Sequence, residues 1–468
     1  MKKFSFVVIG AGAAGLVVAV GLAKAKKNVL LIEKGAFGGD CTNLGCIPSK
    51  SLIAAAEVMH AVHALGEMDI KAKAEVQCED ALKYVHRVVE TVRKKEEPDV
   101  LKKAGVKTLK GSARFIDKKT LIVETAEGSK IKVRAKKIII ATGSKPRIPD
   151  VLGLDKVPFL TNENIFELKK VPKRLAIVGA GAIGCELAQA FRRLGAQVSL
   201  IHPHQRVLDK EEPIAGDLIM DMFQKEGIDL HLESDFQEVH YEKGVYTLFL
   251  SKGKVKADAL LMATGREPRV CGLDLEKGGI EIGGRGVVTD AYGKTSNSRV
   301  FAVGDVASSL MFTHTAEASS RALVFNLLMP WPFRKKVVFS GATPHVTFTS
   351  PEIAGIGLTQ KQAEEKYGAK KIKTYLIPLD EVDRAICQDM TEGFVFIITK
   401  KWSSRILGAT IASSRGGEML MEIGMAMAFN VPLRKIANLL HPYPIYNLGI
   451  RKAADQWLAN LFLRKEKK

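Results

Sequence analysis

No run of 18 or more apolar residues occurs, so no membrane-spanning helix is expected. The chain opens Met1-Lys2-Lys3 and runs at once into a strand-like stretch, too short for a signal-peptide core and without a cleavage site. The expected location is therefore cytoplasmic. Cysteine is scarce, and four of the six (Cys78, Cys185, Cys271 and Cys387) stand singly, which excludes a disulfide framework. Aromatic residues make up 7% of the chain and do not interleave with the basic ones, so the formal charge of +19 has no stacking platform for nucleic acid. The lysines are spread over the whole chain, with short clusters at Lys24, Lys26 and Lys27 and at Lys465, Lys467 and Lys468. A solvated basic surface is the expectation, attractive to an anionic nucleotide but specific for neither nucleic acid nor membrane. Against these absences, 468 residues with 46% hydrophobic content suffice for two to four ordinary globular domains.

The two remaining cysteines lie five positions apart in Gly39-Asp40-Cys41-Thr42-Asn43-Leu44-Gly45-Cys46-Ile47-Pro48-Ser49-Lys50. Pro48 suits the first position of a helix, and Leu52, Ala55, Met59 and Val62 then recur at helical spacing. Cys46 is thus expected at or just before a helix N-terminus, where the dipole favours a thiolate, and Lys50 adds positive charge one turn in. Gly38, Gly39 and Gly45 allow tight turns and the approach of a flat ligand. Four intervening residues permit a disulfide. Zinc, a structural disulfide and two inert thiols are the competing readings. Zinc lacks further ligands nearby, and a structural disulfide lacks an oxidising compartment.

Upstream, Phe6-Val7-Val8-Ile9 reads as a buried strand, followed by Gly10-x-Gly12-x-x-Gly15, an apolar helix to about Lys24, and a second strand, Val29 to Ile32, ending on Glu33. This is a dinucleotide fingerprint in full context: glycines for the turn and pyrophosphate, a helix N-terminus for the phosphates, and an acid for a ribose hydroxyl. The pattern repeats. Leu175-Ala176-Ile177-Val178 precedes Gly179-x-Gly181-x-x-Gly184, and Ala141-Thr142-Gly143 is echoed by Ala263-Thr264-Gly265. Two nucleotide units beside a cysteine pair suggest a bound flavin and an exchangeable nicotinamide. In the second unit the position of the acid is taken by His202, with His204 and Arg206 close behind. These residues suit a 2′-phosphate and predict a preference for NADPH.

Between the repeats, residues 50–104 read as mostly helical, with strands at 112–116, 120–124, 130–134 and 138–140. Beyond them, Phe301-Ala302-Val303 is a strand running into Gly304-Asp305, whose carboxylate could bind a flavin ribityl or ribose hydroxyl. A helix over Ala316–Leu328 precedes a linker at Pro330-Trp331-Pro332. The last third alternates strand patterns at Val346–Phe348, Phe394–Ile398 and Ile406–Ile411, then carries a methionine-rich helix, Met419–Phe429, and a final helix, Ile450–Phe462. The methionines are expected in a core or subunit interface. The fold class is α/β: two Rossmann-like dinucleotide-binding domains plus a C-terminal α+β domain. The expected boundaries are 1–148 for the first part of an FAD domain, 149–270 for an NAD(P) domain, 271–341 for the rest of the FAD or central domain, and 342–468 for the dimerisation domain.

With these motifs the chain resembles the pyridine nucleotide–disulfide oxidoreductases over essentially its full length, through GAGAAG at 10–15, GGDCTNLGCIPSK at 38–50, GAGAIGCE at 179–186, ATGREP at 263–268 and AVGDVA at 302–307. The cysteine motif is most similar to that of the mercuric-reductase-like branch. The resemblance implies a homodimer with one non-covalent FAD per subunit, reduced by NAD(P)H and passing electrons to Cys41–Cys46. Cys41 would attack the acceptor, Cys46 would contact the flavin, and Lys50 and Glu186 would pair beside it. Carried over by motif, the flavin contacts fall on Gly10, Gly12, Ala14, Gly15, Glu33, Lys34, Gly39, Thr42, Lys50, Ala141, Thr142, Gly143, Gly304, Asp305, Met311, Thr313 and His314. The nicotinamide-nucleotide contacts fall on Gly179, Gly181, Ile183, Gly184, His202, His204, Arg206, Gly265 and Arg266.

Disulfide-reducing members carry a C-terminal His-Pro-Thr-x-x-Glu element. Here the stretch reads His441-Pro442-Tyr443-Pro444-Ile445-Tyr446-Asn447-Leu448, with Tyr443 at the histidine position and Leu448 at the glutamate position. Tyrosine is a poor base at neutral pH. His441 could substitute, but the sequence shows no acid to orient it. No C-terminal cysteine pair of the mercuric reductase kind is present. The expected acceptor is a thiol-reactive electrophile: a metal ion such as Hg(II), a small disulfide or a quinone-like molecule. No resident metal is expected. The alternatives are a dihydrolipoamide dehydrogenase and, in a different class, a flavin-binding redox sensor or partner module with altered catalysis.

Overall fold

A computed structural model describes residues 1–63, 65–66, 70, 80–330, 332–337 and 342–462. Cys78, Trp331 and the terminal lysine cluster lie outside the described residues. The chain forms two compact units, one of residues 1–150, 159–171 and 261–339, the other of residues 151–158, 172–260 and 340–468.

The first unit opens with β1 (Lys2–Ile9), α1 (Ala13–Lys24) and β2 (Val29–Glu33), as the fingerprint predicts. Then come α2 (Gly39–Asn43), α3 (Cys46–His63), α4 (Ala81–Arg93), α5 (Pro98–Lys103), β3 (Lys107–Lys110), β4 (Ser112–Asp117), β5 (Thr120–Glu124), β6 (Lys130–Ile140) and β7 (Ser144–Pro146). β1 pairs in parallel with β2 and β6, β2 with β3, and the strand Val300–Ala302 with β6. Successive residues of these strands enter opposite cores. Val7, Ile9, Leu30, Ile32, Ile138 and Ile140 fill one. Phe6, Val8, Val29, Leu31 and Ile139 fill the other, against Val18 and Leu22 of α1 and Leu323 of the helix Thr313–Leu328. A parallel sheet buried on both faces needs such unbroken apolar runs, and each buried Val, Leu or Ile contributes about 1.5–3 kcal/mol.

Two expectations change here. The strands expected at 130–134 and 138–140 are one, because Val133 and Ala135 point inward while Lys132, Arg134 and Lys136 point out, a period of two that continues the strand. Pro48 is the third residue of α3 rather than its first. The helix starts at Cys46, Ser49 N–H donates to the Gly45 carbonyl at 3.0 Å, and a proline anywhere in the first turn removes no intrahelical bond.

In the second unit, β8 (Arg174–Val178), α6 (Ala182–Arg193), β9 (Gln197–Ile201), α7 (Pro213–Lys225) and β10 (Asp229–His231) repeat the nucleotide fold, with β9 in parallel between β8 and β10. Its C-terminal part is an antiparallel sheet in the order His345–Thr347, Glu352–Gly357, Ile406–Ser413, Phe394–Lys400, Ile372–Pro378. The helices Gly416–Ala428 and Leu448–Phe462 pack on it through Met419, Ile423, Ile450, Ala453 and Trp457. The methionine-rich helix has two faces: Met419 is 1% exposed, whereas Met421, Met425 and Phe429 are 53%, 63% and 73% exposed. Among the described residues no helix is long and apolar enough to cross a membrane.

Candidate active site

Cys41 lies on the five-residue helix α2 and Cys46 begins α3. Gly39 explains why this loop abuts the first glycine motif: a Cβ there would lie 2.5 Å from the Gly12 Cα, so only glycine permits the approach. Cys41 hydrogen-bonds the Cys46 side chain, and Cys46 Sγ lies 3.4 Å from Thr313 Oγ1 at the start of the helix Thr313–Leu328. The hydrogen bond to Cys46, then burial, then the charge of Cys46 push the Cys41 thiol far above the usual thiol range. Lys50 sits in the first turn and a half of α3. Sequence reasoning missed Glu96, which hydrogen-bonds Thr42. Burial pushes its carboxyl up against the pull of that bond, and its Oε2 is buried without a hydrogen-bond partner.

At the first glycine motif, Cβ atoms on Gly10 and Gly15 would collide with Ala141 O at 2.3 Å and Gly10 O at 1.8 Å. Glu33 is already seated: Oε2 accepts from Ala11 N–H at 2.6 Å and Oε1 from Gly35 N–H at 2.6 Å. Beside it opens a cleft of about 150 Å³ lined by Gly10, Glu33, Lys34, Ser112, Thr142 and Arg269, among others. A fixed carboxylate, a lysine and glycine backbone around a cleft fit the adenosine half of a dinucleotide such as FAD. Ala14 is buried in the first turn of α1. Asp305 is half-buried and accepts from Ser144 Oγ at 2.6 Å; burial pushes its carboxyl up despite that bond. The two Ala-Thr-Gly motifs face each other. The strand Arg266–Pro268 pairs with β7, Thr142 Oγ1 donates to Arg269 O at 2.8 Å, and Thr264 Oγ1 donates to Arg147 O at 2.6 Å. Gly143 and Gly265 both adopt positive φ at this crossing, at 69° and 111°. Arg266, expected at a nicotinamide nucleotide, here bonds Asp40, Ser144 and Asn162. Met311 precedes the helix that Thr313 and His314 begin, and the His314 ring stacks on Phe312 with centroids 5.2 Å apart.

In the second unit, Gly179 has φ 107°, Gly184 is buried in α6, and Ile183 stands 36% exposed in its first turn. A Cβ on Gly181 would meet nothing within 4 Å, leaving room for a phosphate. His202 is 8% exposed, and its Nδ1 accepts from Ala180 N–H at 3.3 Å. Burial pushes its pKa down. With Nδ1 accepting, Nε2 carries the proton, and this N–H has no hydrogen-bond partner. His204 packs edge-on against His202 at 5.0 Å and lies 3.6 Å from Asp209, while Arg206 Nε donates to Asp217 at 2.6 Å. His202, His204 and Asp209 have the residue types of a metal site and ligand atoms within 4.8 Å of one another. The His202 lone pair, however, is already committed to Ala180 N–H, so the trio offers a donor rather than a ligand. Glu186 is buried in α6 and accepts from Phe348 N–H at 2.9 Å.

The C-terminal segment holds a correction. His441 does have an orienting acid: its Nε2 lies 3.1 Å from Glu422 Oε1, and its Nδ1 lies 3.0 Å from Leu439 O. Glu422 comes from the helix Gly416–Ala428 and also accepts from Asn447 at 2.7 Å, so the dyad is built across the fold and leaves no local spacing signal. Tyr443 O–H donates to Asp383 at 2.7 Å, and this bond and the Asp383 charge push the phenol up. Tyr443 is a donor, 73% exposed. Leu448 opens the last helix.

Two nucleotide folds with a close cysteine pair beside the first glycine motif define a class of two-nucleotide dithiol redox proteins. The pyridine nucleotide-disulphide oxidoreductase family matches residues 4–320, and its dimerisation domain matches residues 343–454. The chain is 32% identical to a mercuric reductase of Lysinibacillus sphaericus over 97% of this chain and 82% of that one. It is also 32% identical to the mercuric reductase of Streptomyces lividans, over 98% and 97%. The solved Cu(II) complex of the HOCl-induced flavoprotein disulfide reductase RclA from Escherichia coli superposes with a TM-score of 0.89 at 26% identity, covering 97% of this chain and 100% of that one. The chain belongs to the pyridine nucleotide-disulphide oxidoreductase family. It is an FAD-dependent oxidoreductase of the pyridine nucleotide–disulfide type, and it carries the family's dimerisation domain.

Proposed function

We propose that the enzyme takes electrons from NADPH and delivers them through Cys41–Cys46 to a thiol-reactive acceptor: a metal ion such as Hg(II), a small disulfide or a quinone-like electrophile. The observation that carries this is the contact of Cys41 with Cys46, with both cysteines against Thr313. FAD would be held by the Gly10–Gly15 loop, Glu33, the Ala141–Gly143 turn and Asp305, within residues 1–148 and 271–341. When bound, it supplies hydride acceptance from the nicotinamide and two-electron delivery to the disulfide. Residues 149–270 would hold NADPH, with the His202 N–H offered to the 2′-phosphate, and residues 342–468 would form the dimer. The exposed row of Met421, Met425 and Phe429 supports self-association. A dithiol that must stay reducible suits the cytoplasm.

Cys41 attacks as the thiolate, so its proton must leave before the attack. In exchange with a disulfide acceptor, the Cys41 thiolate bonds one sulfur and expels the other as a thiolate. Cys46 then displaces Cys41's new partner, closing Cys41–Cys46 and releasing the second thiol. Anaerobic titration with NADPH tests the reading. A long-wavelength absorbance band at two electrons per flavin, absent in Cys46→Ser, is expected, followed by acceptor screening with Hg²⁺ and small disulfides. Direct flavin bleaching with no such band overturns it.

A further inference from the structure

Asp40 immediately precedes Cys41, and Leu44 lies two residues before Cys46. Both are tied to a single arginine. Arg266 donates through Nη2 to the Asp40 carboxylate and to Ser144 O at 3.2 Å, through Nε to Ser144 Oγ at 2.7 Å, and through Nη1 to Asn162 Oδ1 at 3.3 Å. Asn162 Nδ2 in turn donates to Leu44 O at 3.4 Å, and Ser144 Oγ continues to Asp305. The Arg266 side chain is only 17% exposed. A largely buried guanidinium is costly unless its donors are taken, and here Asp40 supplies the carboxylate it pairs with.

We propose that Arg266 is a positioning residue for the redox loop, holding the loop at Asp40 and, through Asn162, at Leu44, and that this hold sets how readily Cys41 and Cys46 close into a disulfide. This rests on the reading of Cys41–Cys46 as the redox pair. Ring closure needs two sulfurs brought into a narrow geometry. A loop pinned near both cysteines has less freedom to lose on closing, so the disulfide is favoured. Releasing the clamp makes the pair a poorer ring-former and shifts the balance toward the dithiol.

The balanced reaction is Cys41–SH plus Cys46–SH plus oxidised glutathione giving the Cys41–Cys46 disulfide plus two reduced glutathiones. Equilibrate the flavin-loaded protein in glutathione buffers of graded ratio, quench with iodoacetamide, and count alkylated Cys41 and Cys46 by peptide mass. The equilibrium constant should fall about tenfold in Arg266→Gln and in Asp40→Asn, close to 30 mV for a two-electron couple. The double variant should fall little further than either single one, as for partners in one interaction. Arg266→Lys, which keeps charge but loses the fork, should fall between. Should Arg266→Gln not fold, Asp40→Asn alone carries the test. If the parent pair interconverts but both variants stay within twofold of it, or their effects add fully, the clamp is wrong while the redox reading stands. If the parent pair never converts reversibly, both fall.

Discussion

The two glycine loops share an anchor and differ in what they offer a ligand. In the first unit Ala11 N–H is held by the Glu33 carboxylate; in the second, the equivalent Ala180 N–H is held by His202 Nδ1. Each side chain ends a strand of the nucleotide fold and reaches back to the middle of its own Gly-x-Gly turn. Backbone geometry is thereby conserved between the units while chemistry is inverted. Glu33 has lone pairs to spare and suits a ribose hydroxyl. His202 has a single N–H, buried and without a partner, and suits an oxygen that only accepts. On the proposed reading, one fold would discriminate two nucleotides through the polarity of one hydrogen bond.

The largest effect should come from making the first site like the second. Glu33→His keeps an acceptor for Ala11 but removes the carboxylate. FAD affinity, measured by flavin retention and equilibrium dialysis, should fall about 100-fold, or roughly 2.7 kcal/mol. Retention of flavin at parental levels would show that the carboxylate serves only the loop. The converse change, His202→Glu, places a negative charge where the N–H stood. The ratio of kcat/KM for NADPH to that for NADH should drop by about 30-fold or more, chiefly through KM for NADPH. A parent enzyme that already prefers NADH would sink the assignment of His202 before any variant is made.

The parallel cores, both fingerprints and the start of α3 were legible because they rest on local signals: apolar runs of strand length, glycines at fixed spacing, and helical periodicity after Cys46. The role of His202 in the loop was not. At the sequence level it stands for positive charge near a phosphate, whereas burial pushes its pKa down, favouring the uncharged ring, and its partner fixes which nitrogen donates. Glu422 was equally hidden, since it reaches His441 from a helix 19 residues upstream on the other side of a turn. Arg266 reads as a cofactor residue from its motif and instead gives its donors to Asp40, Ser144 and Asn162, the contact with Asp40 spanning 226 residues. Whatever depended on tertiary closure left no spacing to find.

The second unit also holds a half-buried ion pair, His345 with Glu211 at 2.9 Å. Burial alone would push His345 down, but the Glu211 hydrogen bond and charge outweigh it, so its folded pKa is raised. A raised histidine contributes stability that is fully present below the unfolded value, about 6.5, and is lost as pH rises through the folded one. His345→Gln should therefore lower Tm most near pH 5.5, by an amount corresponding to about 2 kcal/mol, and progressively less toward pH 9. An equal Tm loss at both pH values would show a packing effect rather than an ion pair.

The smallest effect sharpens the comparison most. Arg206 has the residue type of a phosphate clamp, yet its Nε is given to Asp217. His204 is likewise turned toward Asp209. An arginine already paired with a carboxylate adds little net charge to the loop, and at the exposed surface a charge contact contributes only about 1 kcal/mol or less. Arg206→Ala should raise KM for NADPH by less than about fivefold and leave that for NADH unchanged, well short of His202→Glu. If Arg206→Ala instead abolishes the NADPH preference, the guanidinium leaves Asp217 for the phosphate when the cofactor binds. Selectivity in the second loop would then come from charge, and the polarity of the His202 hydrogen bond would be incidental.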